Sequence, residues 1–141
     1  MNRLWKVYEN GVQTATYAYD ANGSRQTLTY NASGNSTSYT YNLANRLVSL
    51  TNKKGSTTLS SYSYTYYLDG NQATKTDHTG KVTTYVYDDL GRLENEAPQG
   101  ETAIAYTYDD YSNRASMTVG AAIMLYANEF DRKKDKSIDS G

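Results

Sequence analysis

The feature that most constrains this chain is a pair of tyrosines separated by one residue, and it recurs five times. Tyr17/Tyr19, Tyr39/Tyr41, Tyr64/Tyr66, Tyr85/Tyr87 and Tyr106/Tyr108 succeed one another at intervals of 22, 25, 21 and 21 residues. A period near twenty residues means an array of one supersecondary element, because each copy is too small to bury a face alone. The residues after each pair repeat as well. Asp20, Asn42, Asp88 and Asp109 stand directly behind four of the pairs, with Tyr67 in the remaining place. A Gly or Asn and then an Arg or Gln come next, as in Gly23-Ser24-Arg25, Asn45-Arg46, Gly70-Asn71-Gln72, Gly91-Arg92 and Asn113-Arg114.

Each repeat carries a second turn midway to the next pair, at Asn10-Gly11, Ser33-Gly34, Lys54-Gly55, Thr79-Gly80 and Gln99-Gly100. Two turns per repeat imply two strands per repeat, and Asn10-Gly11 is the strongest hairpin signal among them. Alternation supports the strands. In Tyr62-Ser63-Tyr64-Thr65-Tyr66 a period of two sends the tyrosines to one face and Ser63 and Thr65 to the other. No sustained helical stripe competes; Ala121 to Phe130 carries a weak one. The ends hold partial copies: Asn2-Arg3-Leu4 matches the tail of a repeat, and Asn128-Glu129-Phe130-Asp131 with Lys136 matches a degenerate sixth. The expected fold is therefore all-β, a meander of antiparallel hairpins with a tyrosine wall, the array covering 1–119. Residues 120–141 are read as a degenerate terminal repeat and a frayed, charged tail. Equivalent strands would lie two strand spacings apart, roughly 9.5 Å. Leu28, Leu50 and Met117, each eleven residues beyond its first Tyr, would fill the gaps, with Lys75 and Glu96 in the same slot elsewhere.

Composition agrees with this reading. Sixteen Tyr against one Phe and one Trp make the phenol ring the main packing group, an apolar body with a polar tip. A net charge of −1 argues against a nucleic-acid footprint. The absence of Cys excludes disulfides and thiolate metal sites. The longest apolar stretch, Ala121 to Ala127, is too short to span a bilayer, and MNRLWKVYEN contains no apolar segment of a signal peptide.

Tyr85-Val86-Tyr87-Asp88-Asp89-Leu90-Gly91-Arg92-Leu93 resembles the YD repeat of the RHS family, and the resemblance covers about residues 2–119 in five in-phase copies. That family includes bacterial polymorphic toxins, insecticidal toxin-complex shell subunits and extracellular teneurins. The resemblance implies a strip of antiparallel sheet that spirals into a hollow shell, enclosing a C-terminal effector in toxins and serving adhesion at surfaces. It also implies a parent that is secreted or at the cell surface. The family's closing segment, with its Asp-Pro and Gly-Arg-Phe pattern, has no match here, so the expectation is part of an array.

The candidate chemistry is mostly the repeat itself. A carboxylate needed once per repeat is a turn device that bonds its side chain to nearby backbone N–H groups, whereas an active site needs one positioned set. The adjacent pairs Asp88/Asp89 and Asp109/Asp110 would suit at most weak Ca²⁺ binding. Arg25, Arg46, Arg92 and Arg114, with Gln72 in the same place, are expected over a Tyr ring or on their repeat's Asp. His78, the only histidine, stands in a turn without a second His or a Cys to complete a zinc site. Trp5 is read as a core or edge residue, and Lys133, Lys134 and Lys136 as a solvated tail. No catalytic, cofactor or metal residue is assigned. The leading function is a non-catalytic shell segment, with an effector domain of the parent as partner and self-association through sheet edges or the Tyr face. The alternative is a carbohydrate-binding module that stacks sugars on its tyrosines. An enzyme is third, because no motif for a nucleophile, base or phosphate loop is present.

Overall fold

The computed structural model describes residues 3–126. Every regular element among them is a strand, and the chain divides into two compact units, Met1–Val82 and Thr83–Gly141. The first unit contains β1 (Lys6–Glu9), β2 (Val12–Tyr19), β3 (Arg25–Tyr30), β4 (Asn35–Tyr41), β5 (Leu47–Lys54), β6 (Thr57–Tyr66) and β7 (Gln72–Asp77). Within it each strand pairs antiparallel with the next in sequence, from β1 with β2 through β6 with β7. The second unit, entered within β8 (Val82–Tyr87), continues through β9 (Leu93–Pro98), β10 (Ile104–Tyr108), β11 (Arg114–Val119) and β12 (Ala122–Leu125). Its strands likewise pair antiparallel in chain order. This is the hairpin meander that the two turns per repeat predict. Residues 121–126 form no helix: β12 runs through the weak stripe, because Gly120 at φ 58 turns the chain back onto β11. The rest of that stripe, the degenerate sixth repeat and the lysine cluster lie outside the described residues.

The alternation divides the faces as expected. Both tyrosines of every pair are half-buried, whereas the residue between them (Ala18, Thr40, Thr65, Val86 or Thr107) is exposed. On that outer face hydroxyls meet across strands, Thr40 with Ser49, Thr65 with Thr74 and Thr107 with Ser116, each at 2.7 Å. Such cross-strand pairs contribute roughly 0.2–1 kcal/mol each. On the inner face, the residue eleven beyond each first Tyr is its Cα partner: Tyr17↔Leu28, Tyr39↔Leu50, Tyr64↔Lys75, Tyr85↔Glu96 and Tyr106↔Met117. The only apolar side chains buried among the described residues, Ala15 at 6% and Leu28 at 7% exposure, both lie on this tyrosine face.

At the second Tyr of every pair the register shifts by a bulge, between Ala18/Tyr19, Thr40/Tyr41, Thr65/Tyr66, Val86/Tyr87 and Thr107/Tyr108. A bulge bends the strand and strengthens its twist, so it re-aims the side chain beside it. Here the extra residue lies each time on the strand that follows the turn, at Gln26, Val48, Ala73, Glu94 and Ala115.

Candidate functional site

Five residues connect the strands of each hairpin after the tyrosine pair, and the first of them organises the rest. In repeat 4 the Asp88 N–H donates to the Arg92 carbonyl (2.9 Å), and the Gly91 N–H returns to the Asp88 carbonyl (2.8 Å). The Asp88 carboxylate then accepts the N–H groups of Leu90 (3.0 Å) and Arg92 (2.9 Å). Asn42 accepts the N–H of Ala44 and of Arg46 at 3.0 Å, and Asp109 those of Tyr111 and Asn113 at 2.9 Å. Asp20 accepts the Ser24 N–H at 2.9 Å. Only an acceptor with a short stem reaches the N–H groups two and four residues ahead, which is why Asp and Asn occupy this place. Where Tyr67 replaces them, Asp69 takes over by accepting the Asn71 N–H at 2.9 Å. The fourth residue adopts positive φ in every copy: Gly23 (88°), Asn45 (59°), Gly70 (98°), Gly91 (75°) and Ser112 (63°).

The structure adds a copy absent from the sequence reading. Asp77-His78-Thr79-Gly80-Lys81 makes the same turn, with Asp77 accepting the N–H groups of Thr79 (2.8 Å) and Lys81 (3.1 Å). Its Asp-x-x-Gly-Lys spelling matches Asp88-x-x-Gly-Arg92, and the missing tyrosine pair ahead of it hid the match. His78 is exposed within that turn. The Thr79 hydroxyl, with backbone N–H groups behind it, holds the Asp77 carboxyl below the usual range. The Arg92 backbone N–H, followed by its guanidinium, does the same for Asp88.

The second tyrosine is a clasp between repeats. Its hydroxyl donates to a backbone carbonyl on the preceding strand or just ahead of it: Tyr19 to Leu4, Tyr41 to Arg25 (2.8 Å), Tyr66 to Leu47 (2.5 Å) and Tyr108 to Leu93 (2.6 Å). Arg25, Leu47 and Leu93 each have their own repeat's second Tyr as Cα partner, so their carbonyls face forward where the ladder to the next strand has ended. The phenol tip satisfies a carbonyl that the backbone leaves open.

The arginines belong to two places rather than one. Arg46 and Arg92 come five residues after their second Tyr and close the turn; Arg25, Gln72 and Arg114 come six after and open the next strand. The two classes alternate along the chain, and their contacts differ accordingly. Arg46 reaches forward to the Tyr66 ring (5.8 Å) and Arg92 to the Tyr108 ring (4.5 Å), each the second Tyr of a later repeat. Arg3, with a leucine directly after it as in Arg46 and Arg92, lies over Tyr19 at 5.6 Å. Arg25 and Arg114 instead fold back on the first Tyr of their own repeats, Tyr17 (4.6 Å) and Tyr106 (4.2 Å).

The forward arginines also cover the next turn. A Cβ built on Gly23 would collide with the Arg3 guanidinium, and one on Gly70 would stand 2.6 Å from Arg46 Nη2. In the corresponding place Ser112 accepts a hydrogen bond from Arg92 Nη1 at 3.2 Å. Arg92 pairs with its own Asp88 as well, Nε to Oδ2 at 2.7 Å. Counting from the second Tyr would have separated the two classes; aligning on the arginine concealed them.

Trp5 is exposed ahead of β1 with Lys6 Nζ 4.0 Å from its ring centroid, so it is an edge residue rather than a core one. Among the described residues no three His, Asp or Glu side chains gather as a metal ion would need. No helix among them is long and apolar enough to cross a membrane.

A family model described as RHS Repeat matches residues 19–57 and 66–97. A solved structure of TcdB2-TccC3-TEV is similar with a TM-score of 0.66 and 25% identity, over 76% of this chain and 5% of that one. One of a Photorhabdus luminescens Tc holotoxin pore gives 0.65 and 23% over the same shares. TcdB2-TccC3 without its hypervariable C-terminal region gives 0.65 and 22%, again over 76% and 5%. This chain therefore spans about one-twentieth of the length of those structures. No curated protein matches it.

Proposed function

This chain belongs to the RHS repeat family, and on that footing we propose that it is a non-catalytic wall segment of a larger RHS shell. In this reading a secreted parent uses the array to enclose or present a C-terminal effector. The observation that carries it is where the repeated polar side chains are spent. The carboxylates at the turn starts hold backbone N–H groups, the second tyrosines hold carbonyls, and the arginines cover tyrosine rings and turns. Each is engaged in making one repeat succeed another, which is the work of a wall. The tyrosine hydroxyls committed to backbone carbonyls also weigh against the carbohydrate reading, in which the tips would orient a sugar.

Imaging of the parent protein tests the proposal. Residues 3–126 are expected within the shell wall, with the effector segment protected from protease until the shell is opened. Finding these strands outside any wall would refute it. So would turnover by the purified chain, in hydrolase and transferase screens, that a single change such as His78→Ala abolishes.

A further inference from the structure

The last strand of the second unit differs from the first strand of the first unit in a way the repeat does not explain. β1 is guarded: Lys6 and Glu9 place charges at its two ends, and a bulge between Val7/Tyr8 interrupts its pairing with β2. Charges and bulges are how natural edges avoid unwanted partners. β12 has neither. No charged residue occurs from Ala115 to Asn128, and β12 pairs with β11 without a register shift.

β12 is also apolar on both faces. Met124, paired with Met117, belongs to the tyrosine face, whereas Ile123 and Leu125 project on the opposite side, which carries hydroxyls in the neighbouring strands. Ile123 and Leu125 are 67% and 78% exposed. With no charge among these side chains, β12 lacks the device by which natural edges turn partners away.

Its backbone carries the more specific message. Val119 and Ala122 close a two-residue turn, and the Tyr126 N–H donates to the Ala115 carbonyl at 2.9 Å. Antiparallel alternation therefore turns Ala122, Met124 and Tyr126 toward β11, and points the N–H and C=O groups of Ile123 and Leu125 away from it. Among the described residues those outward groups meet no strand. Two such edges are self-complementary. With a two-fold axis at Met124, Ile123 of one copy faces Leu125 of the other, both residues exchange their N–H and C=O groups, and the arrangement repeats on the far side of the axis. Met124 then meets its own copy in the close, non-hydrogen-bonded position.

We infer that β12 is a pairing edge that joins two copies of this chain antiparallel about Met124. The contact is isologous and closes at two, because β1 is guarded. It is also weak, since a strand this short buries well under the ~800 Å² per partner of a standard interface. The inference stands apart from the shell reading, which needs no pairing of isolated chains.

Light scattering across a dilution series of the full chain tests it. Dimer is expected at tens of micromolar and monomer after dilution to about 1 µM, the range such a small interface supports. Leu125→Pro removes an outward N–H and leaves the β11 ladder intact, so it should be monomeric throughout with an unchanged far-UV spectrum. Met124→Lys and Met124→Glu place like charges opposite each other and should each be monomeric alone. Mixed one to one, they should regain the dimer, a result that unfolded variants could not produce. Val7→Lys on β1 should leave the dimer untouched. A wild-type chain that stays monomeric would overturn the inference, whether its edge is bare or covered from within the same chain. Dimers that survive all three β12 substitutions, or a charge-swapped pair that fails to associate, would overturn it as well.

Discussion

Replacing Gly70 by Ala separates two costs that the turns normally hide. At φ +98° a Cβ is sterically opposed, a penalty of roughly 1–2 kcal/mol for an L side chain in the left-handed region. The same Cβ would stand 2.6 Å from Arg46 Nη2, so the guanidinium must leave its place over the turn and the Tyr66 ring. Losing an exposed cation–π contact adds about 0.5–1 kcal/mol. Gly80 is the matched control: it holds the same place in a five-residue turn of the same unit, at φ +86°, with nothing within 4 Å of a Cβ. Gly70→Ala should therefore cost about 1.5–3 kcal/mol and Gly80→Ala about 1–2 kcal/mol. In thermal melts the difference amounts to roughly 2–4 °C for a domain of this size. Urea titrations monitored by tyrosine fluorescence give the free energies directly. The decisive measurement is a double-mutant cycle: in an Arg46→Gln background the excess cost of Gly70→Ala over Gly80→Ala should vanish. An excess that persists without Arg46, or two glycines that cost the same in the wild type, would show that the arginine does not pack on the turn ahead of it.

The tyrosine clasp predicts an asymmetry within each pair. Tyr66→Phe strands the Leu47 carbonyl and should cost about 0.5–1.5 kcal/mol in urea unfolding, whereas Tyr17→Phe keeps the ring under Arg25 and should stay within about 0.5 kcal/mol. Equal costs would remove the clasp. Leu28→Ala empties one of the two buried apolar places among the described residues, opposite Tyr17, and should cost about 2–4 kcal/mol by the same assay; under 1 kcal/mol would mean that this face is not a packed one. Stability should also bend at both ends of the pH scale, as read from urea midpoints. Asp77 and Asp88 have folded-state pKa values below their unfolded ones, so their contribution is present above about pH 4 and lost as pH falls below that. Burial, the largest cause, raises the phenols of Tyr41, Tyr64 and Tyr106, so the unfolded chain releases those protons first and stability should fall as pH rises past about 10. A midpoint that is flat from pH 9 to 11 would contradict the buried face.

What the sequence determined by itself was whatever acts over a few residues or repeats with the period. Alternation in Tyr62 to Tyr66 sets strand and face because successive side chains must point to opposite sides. An Asp with a Gly three residues later sets the turn because side-chain-to-backbone bonds reach only that far. That Leu28 packs among the tyrosines was legible from its repeat position, but its register was not: the five-residue turn alone would set Thr27 opposite Tyr17, and the bulge at Tyr19 brings Leu28 there instead. What only the tertiary structure decided acts between repeats. The carbonyls that Tyr19, Tyr41, Tyr66 and Tyr108 reach lie 15 to 19 residues earlier in the chain. The forward arginines act on turns about twenty residues ahead, and their alternation with the folded-back class became visible only once the rings and turns they cover were in place. Long side chains choose among partners that the fold brings near, so a residue type repeated in sequence can serve two contacts in space.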